Sequence, residues 1–328
     1  MSSAPAVCAA VITYNRKKLL AECVEALMSQ THPLTRILVI DNASTDGTEA
    51  LLRERGLLDG DVRVDYIRLE RNRGAAGGFA HAVQLGRDLD TDWIWIMDDD
   101  AEPLPDALEV LLSSPPASDG STVAVCPKVV YAAGGIDSNQ RGHFRGRLRP
   151  LPDEEYRPGH HPKLDFLSFV GALVRTSAAR QTDPPRVDFF IWGDDVEYSF
   201  RLRRLGDIRL VSESVIVHKR VTHSFETARS RFWNRVLPVT MWPTPYERFW
   251  QNLCGLRNYL WIKREYEGQG TLSAIGTTLQ FVVKHMLYDD RPLRRIPWIV
   301  RFARDGRRGR FVNIAPEDWA QMVRDGRA

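Results

Sequence analysis

Three consecutive carboxylates, Asp98-Asp99-Asp100, close the apolar run Trp93-Ile94-Trp95-Ile96-Met97. Like charges side by side repel and are costly to shelter from water. A divalent cation offsets that cost, and at the carboxyl end of a strand it is placed to hold a diphosphate. A second acidic cluster, Asp194-Asp195-Val196-Glu197, follows the aromatic run Phe189-Phe190-Ile191-Trp192-Gly193. A carboxylate there can accept the proton of a hydroxyl nucleophile. His218 follows Val215-Ile216-Val217 and stands at another candidate strand end. A neutral imidazole completing a carboxylate site favours manganese or magnesium over zinc. Taken singly, each feature has a plainer reading: a solvated acidic turn, a structural histidine, or a core aromatic for Trp192.

The elements that must position these groups follow from hydrophobic period. Ala6–Ile12 and Arg36–Ile40 read as short strands, Val62–Leu69 as a third and Trp93–Met97 as a fourth. Between them Arg16–Gln30 carries apolar residues at helical spacing. Asp46–Arg55 reads as a helix with Ser44 and Thr45 as cap candidates, and Gly74-Ala75-Ala76-Gly77-Gly78 opens a helix to about Asp88. This β-α repetition implies an α/β fold, a doubly wound, mostly parallel sheet with right-handed crossovers. Ligands bind at the carboxyl ends of such strands. The polar residues fall at those ends: Thr13-Tyr14-Asn15, Asp41-Asn42, Arg71-Asn72 and Asp98–Asp100. Their clustering favours a nucleotide pocket. Farther on, Val123–Tyr131 and Leu167–Arg175 read as strands, with a Gly-, Pro-, Arg- and His-rich segment between them. Tyr198–Leu205 reads as a helix, Ile208–Val211 and Val215–His218 as two short strands, and the chain from about Pro245 as helical.

Composition narrows the class. With 328 residues, 43% hydrophobic and 27% charged, the chain suits a folded globular protein of one large or two modest domains. A net charge of +3 gives no global polyanion-binding signal. Cys8, Cys23, Cys126 and Cys254 match neither a zinc spacing nor a disulfide framework, which fits a reducing, cytoplasmic setting. Neither a secretory leader nor a run of about 18 apolar residues is present, so no transmembrane helix is expected.

In this order the motifs resemble the family 2 inverting glycosyltransferases. They are the strand into Thr13-Tyr14-Asn15-Arg16, then Asp41-Asn42-Ala43-Ser44-Thr45-Asp46-Gly47-Thr48, then Arg71-Asn72-Arg73-Gly74-Ala75-Ala76-Gly77-Gly78-Phe79. Asp98-Asp99-Asp100 follows, and last Asp194-Asp195-Val196-Glu197 with Arg201 and Gly206. The resemblance covers residues 6 to about 220. It implies the GT-A fold, a Rossmann-like sheet over 1–225, with a helical C-terminal region over 226–328. It implies that Val11–Tyr14 and Asp41 hold the uracil and ribose of a UDP-sugar donor, with Asn15, Arg16 and Asp99 nearby. Asn72 and the backbone of Gly74, Gly77 and Gly78 would approach ribose and diphosphate. Asp98, Asp100 and His218 would hold Mn2+ or Mg2+. Asp195 would be the base, Asp194 and Glu197 would orient acceptor or base, and Trp192 and Gly193 would line the acceptor site with Asp194.

Within the family the chain most resembles bacterial galactofuranosyltransferases that initiate cell-wall galactan, with rhamnosyltransferases close. Many relatives carry Glu-Asp where this chain has Asp194-Asp195, which keeps the base and leaves the sugar open. The expected partners are a nucleotide sugar and a polyprenyl-diphosphate-linked glycan at the cytoplasmic face of the membrane, with no nucleic acid. Oligomeric state is left open. Residues 291–311 hold eight arginines and one acid among Leu293, Ile296, Trp298, Ile299, Val300, Phe302 and Phe311. That pattern reads as a basic amphipathic helix for an anionic membrane surface, or as a helix packed on the protein with its arginines in water. A nucleotidyltransferase or a dinucleotide-binding oxidoreductase would want glycines after its first strand, whereas the first glycine here is Gly47. A non-catalytic carbohydrate-binding protein would not need two acidic clusters and a matched histidine.

Overall fold

The computed structural model describes residues 4–60, 62–219, 225–237 and 241–326. The first apolar run forms β1 (Val7–Thr13), whose seven residues are all buried, as expected of a central strand covered on both faces. Its alternate side chains serve two cores. Val7, Ala9 and Val11 pack with Leu20, Val24 and Leu27 of α1 (Lys17–Met28). Cys8, Ala10 and Ile12 pack with Phe79, Ala82 and Val83 of α3 (Gly74–Asp88). The helix between these two in sequence, α2, spans Thr48–Glu54.

The strands β2 (Arg36–Asp41), β3 (Val64–Arg68) and β4 (Trp93–Asp98) extend β1 into a parallel sheet, ordered β3-β2-β1-β4. Register aligns their ends. Thr13 pairs with Asp41, Asp41 with Arg68, and Ile12 with Asp98. The polar strand ends therefore share one edge, as the sequence predicts.

Beyond β4 the sheet becomes mixed. The next strands are β5 (Ala101–Pro103), β6 (Thr122–Tyr131), β7 (Arg141–Phe144), β8 (Leu148–Pro150), β9 (Phe166–Leu167), β10 (Ala172–Arg175) and β11 (Asp207–His218). The eight-stranded sheet continues β4-β10-β6-β11-β5, while β8-β7-β9 form a small second sheet. Strand β10 runs antiparallel to β4 and to β6, and β11 runs parallel to β6. Helices α4 (Ala107–Ser113), α5 (Pro115–Ser118), α6 (Thr176–Arg180) and α7 (Asp194–Leu202) complete this part.

Several expectations are corrected. Leu167–Arg175 is not one strand. Gly171 at φ +79° breaks it, and a Cβ there would lie 2.2 Å from Ile216. The two short strands expected around 208–218 are one strand, β11, with a register shift between Val211 and Val215. Ser44 and Thr45 do not cap α2; its N-cap is Gly47 at φ +82°. The helix expected from Tyr198 begins at Asp194, so the second acidic cluster lies in the first turn of α7. The Gly- and Arg-rich segment, given no element in the sequence reading, is partly ordered as strand. It carries β7 and β8, anchored by the buried Arg141 guanidinium, which donates to the carbonyls of Pro127 and Val170 at 3.1 and 2.6 Å.

The chain divides into two compact units. The first is Met1–Val187 with Asp194–Arg220, and the second is Asp188–Gly193 with Val221–Ala328. The second unit contains α8 (Ala228–Val236), α9 (Phe249–Glu267), α10 (Thr271–Tyr288), α11 (Pro292–Arg308) and α12 (Pro316–Arg324). Its core gathers Phe249, Leu253, Leu260, Ile299, Phe302 and Trp319. Ile299, Phe302 and Ala303 of α11 pack on this core, which follows the second of the two readings of that helix. No helix among the described residues is long and apolar enough to cross a membrane.

Candidate active site

At the end of β4 the three carboxylates have different surroundings. Asp99 accepts a hydrogen bond from the Thr13 hydroxyl at 2.7 Å, and Arg16 bridges Asp99 and Asp100 at 3.2 and 2.8 Å. Strand β5 follows at once and pairs Ala101 with His218 of β11. That pairing brings the His218 imidazole to Asp100, with Nε2 3.4 Å from its carboxylate. Nδ1 lies 3.0 Å from Asp137, which also accepts from Tyr131 and Gln140, each at 2.9 Å.

The electrostatics follow from these contacts. Burial opposes a charged imidazole, but the bonds to Asp100 and Asp137 outweigh it and push His218 up to about 9. Burial raises Asp137 too, yet its hydrogen bonds from His218, Gln140 and Tyr131 hold it down at about 2. Asp100 is likewise kept below its ordinary value, because His218 and Arg16 overcome its burial. Burial, aided by repulsion from Asp100 and Asp99, pushes Asp98 up to about 8. Asp99 rises to about 6 through burial, moderated by Arg16 and Thr13.

The donor set of Asp98, Asp100 and His218 fits a hard divalent ion chemically: two carboxylates, one of them desolvated, and an imidazole whose second nitrogen is oriented by Asp137. As the side chains stand, no three His, Cys, Asp or Glu among the described residues form a group set to hold a metal. The physical reason lies in the contacts above. Arg16 spans the Asp99–Asp100 edge and His218 closes directly on Asp100, so charge that an ion would balance is balanced within the protein.

The neighbouring strand ends are laced together. The Ser44 amide donates to Asp41 at 2.8 Å, the Asn15 amide to the Ser44 hydroxyl at 2.9 Å, and the Thr45 amide to the Asn15 side chain at 2.7 Å. Tyr66 donates its hydroxyl to Asp41, and Arg68 lies 3.9 Å from the same carboxylate. Beside them opens a cavity of about 450 Å³ lined by Asp41, Ser44, Thr45, Thr48, Tyr66 and Arg68. Tyr14 follows β1 and is partly exposed.

On the next strand end the Asn72 side chain accepts from the Gly74 amide at 2.8 Å, and Gly74 starts α3 at φ +73°. The space beside the other two glycines is taken by the protein itself. A Cβ on Gly78 would lie 3.3 Å from Ile12, and one on Gly77 2.4 Å from the Arg73 side chain. Both glycines permit close packing of α3.

The second acidic cluster reaches the first. Asp194 is buried, with one carboxylate oxygen lacking a hydrogen-bond partner. Burial, then the charge of Asp195 and, further down, that of Asp98, push it well above the ordinary carboxylate range. Asp195 is only partly buried and accepts from the Val196 amide at 2.7 Å. Glu197 is buried in a two-pronged pair with Arg201, 2.7 Å at the closest. Arg201 in turn donates to Thr182 and the Pro184 carbonyl. This pairing ties Glu197 to Arg201 one turn farther along α7.

In the second unit, Trp192 is partly exposed at φ +64° and Phe190 sits at φ +65°. This strained segment is held by the Asn258 side-chain amide, which donates to the carbonyls of Phe189, Ile191 and Trp192 at 3.0, 3.1 and 2.8 Å. The Trp192 ring lies 2.8 Å from where a Cβ on Gly255 would stand, so only glycine leaves it room.

Sequence reasoning missed Asp137, Tyr66, Arg68 and Asn258. Asp137 and Asn258 lie 81 and 66 residues from the side chain and carbonyl they serve, and neither carries a local signal. Tyr66 and Arg68 stand on β3, where strand alternation alone places them near Asp41.

Residues 8–182 match the model of glycosyl transferase family 2. Among curated proteins, the chain is 34% identical over 220 residues to galactofuranosyltransferase GlfT1 of Mycolicibacterium smegmatis, covering 63% of this chain and 68% of that one. It is 35% identical over 219 residues to GlfT1 of Mycobacterium tuberculosis, covering 61% of this chain and 65% of that one. Among solved structures, 98% of the chain superposes on 58% of GalNAc-T7 with UDP, GalNAc and Mn2+, with a TM-score of 0.61 at 14% identity. It superposes on 92% of Staphylococcus aureus TarS 1-349 in complex with UDP-GlcNAc, with a TM-score of 0.51 at 13% identity. At such identity these neighbours speak for the fold, that of the GT-A glycosyltransferases. The matched stretch thus spans about two thirds of the curated relatives.

Proposed function

The chain belongs to glycosyl transferase family 2, and from that premise we propose that it moves galactofuranose from UDP-galactofuranose to a hydroxyl of a polyprenyl-diphosphate-linked glycan in cell-wall or surface polysaccharide synthesis, with inversion. The observation that carries this reading is the approach of the two acidic clusters. Asp98 lies near enough for its charge to raise Asp194, with Asp195 adjoining and only partly buried. One place can therefore hold a leaving diphosphate and offer a base to an incoming hydroxyl.

In this reading the uridine occupies the cavity lined by Asp41, Tyr66 and Arg68, and Thr13, Tyr14, Asn15 and Arg16 would contact the rest of the donor. Asp98, Asp100 and His218 would hold a Mn2+ or Mg2+ ion, which when bound neutralises charge on the leaving diphosphate. Asp195 takes the acceptor proton. Asp194 would orient an acceptor hydroxyl, and Trp192 offers a ring on which a sugar stacks. The galactofuranosyl assignment is supported by the two mycobacterial relatives. A lipid-linked acceptor places the work at the cytoplasmic face of a membrane, with the protein bound peripherally.

The test is incubation of the full chain with a panel of nucleotide sugars, MnCl2 and a lipid-linked acceptor, with product anomeric configuration read by NMR. Transfer of galactofuranose with inversion, abolished by EDTA, is the expected outcome. Turnover only with dTDP-rhamnose would overturn the donor assignment, and undiminished turnover in EDTA would overturn the metal.

A further inference from the structure

In the second unit, α10 is an 18-residue helix whose only Asp, Glu, Lys or Arg is Lys284. The apolar residues of such a helix ordinarily face a core. Here only His285 and Tyr288 are buried. Leu272, Ile275, Leu279 and Val283 are 84%, 47%, 59% and 53% exposed, and their spacing of three and four lays them along one stripe. The adjoining α8 is fastened to the end of α10. The Thr227 hydroxyl donates to the Tyr288 carbonyl at 2.6 Å, and the Arg229 guanidinium donates to the Met286 carbonyl at 2.9 Å. Helix α8 also exposes apolar groups, Phe232 at 58% and Val236 at 56%, and Trp242 beyond it is 59% exposed.

Apolar side chains this exposed along one stripe are unfavourable in water and mark a docking site. Charge decides the occupant. All the charged residues of α8 are arginines, Arg229, Arg231 and Arg235, and all three are exposed. Residues 221–328 hold 18 Lys and Arg against 10 Asp and Glu, in a chain whose net charge is only +3. A second copy of the chain, meeting this face across a two-fold axis, would bring arginine against arginine. An anionic bilayer surface accepts both the apolar stripe and the positive flank, with tryptophan and phenylalanine suited to the headgroup level.

We propose that the α10 stripe, flanked by α8, is the surface by which the protein docks on an anionic lipid bilayer. Leu272, Ile275, Leu279 and Val283 enter the headgroup–acyl boundary, and the arginines of α8 meet lipid phosphates. This deepens the peripheral-membrane part of the proposed function and moves the inserting element from α11, whose apolar side is packed, to α10.

The test is co-sedimentation of the full chain with vesicles of phosphatidylcholine containing 30% phosphatidylglycerol, and with phosphatidylcholine alone. Wild type is expected to bind the anionic vesicles at least tenfold better. The L279E/V283E double variant is expected to lose at least tenfold in partitioning while keeping its circular dichroism spectrum and its UDP binding. L272E, at the most exposed position of the stripe, guards against misfolding and is expected to lose at least threefold. Wild type that binds neither vesicle, or variants that bind like wild type, would overturn the proposal. So would a wild-type dimer, seen by light scattering, that L279E/V283E dissociates without any change in vesicle binding. A chain that binds vesicles through α10 yet transfers no sugar from any donor supports this surface and refutes the enzymatic reading, so the two fail separately.

Discussion

Asp194 and Asp195 are chain neighbours in opposite environments, and that difference assigns their chemistry. Asp194 is buried with an unpartnered oxygen and is pushed well above the carboxylate range by burial and by its acidic neighbours. Asp195 is only partly buried. Two carboxylates whose environments separate them divide donor and acceptor roles. Asp195→Asn is therefore expected to lower kcat on the order of 10²–10⁴-fold, with UDP affinity unchanged by calorimetry. Asp194→Asn keeps the side chain's shape in a site whose burial disfavours a charge, and is expected to keep activity within about tenfold of wild type. Equal losses in the two variants would refute this division. The carboxylates themselves were legible in the sequence, because three charges after an apolar run stand out. Their environments were not: Arg16 over Asp99 and Asp100, Asp137 behind His218, and Arg201 over Glu197 all come from packing.

At the scale of elements, what decides a substitution is what the new atom meets. Gly306 of α11 faces α9 so closely that a Cβ would lie 2.3 Å from the Arg257 carbonyl oxygen, a backbone atom that cannot step aside. Gly276 of α10 has nothing within 4 Å of its would-be Cβ. Alanine gains helix propensity at both sites, about 1 kcal/mol over glycine. At Gly306 overpacking, typically costing 1–3 kcal/mol, outweighs that gain. Gly276→Ala is thus expected to raise the urea midpoint and Gly306→Ala to lower it, and shifts of the same sign would refute the packing argument. The same logic explains which elements the sequence revealed. Strands β1, β2 and β4 and helices α1 and α3 announced themselves because buried elements need regular apolar spacing. Strand β11 looked like two because Ser212-Glu213-Ser214 carries polar residues through its register shift. The segment 167–175 looked like one strand because a single glycine breaks it.

For the whole molecule, Asp98 and Asp99 in the first unit and His285 in the second shift stability in opposite directions as the pH falls toward 5.5. In the first, burial raises Asp98 and Asp99 above the ordinary carboxylate value of 3.8, to about 8 and about 6. The folded state there binds protons before the unfolded chain does, so acidification through those values favours folding. In the second unit His285 is buried against the rings of Phe249 and Phe281, and its Nδ1 meets Asp289, which Arg295 holds at 3.1 Å. Burial, only partly countered by Asp289, lowers its pKa below the ordinary 6.5. The unfolded chain then takes up the proton first, so this contribution to stability is present above pH 6.5 and is lost as pH falls through 6.5 toward the folded value. A probe averaged over the chain would blur the two effects. Tryptophan fluorescence separates them, because seven of the nine tryptophans lie in the second unit and only Trp93 and Trp95 in the first. Urea unfolding followed by tryptophan emission, in EDTA, is expected to show a midpoint that falls between pH 7.5 and 5.5. His285→Gln, which cannot titrate, is expected to flatten that slope, and a slope that His285→Gln leaves intact would remove His285 as its source.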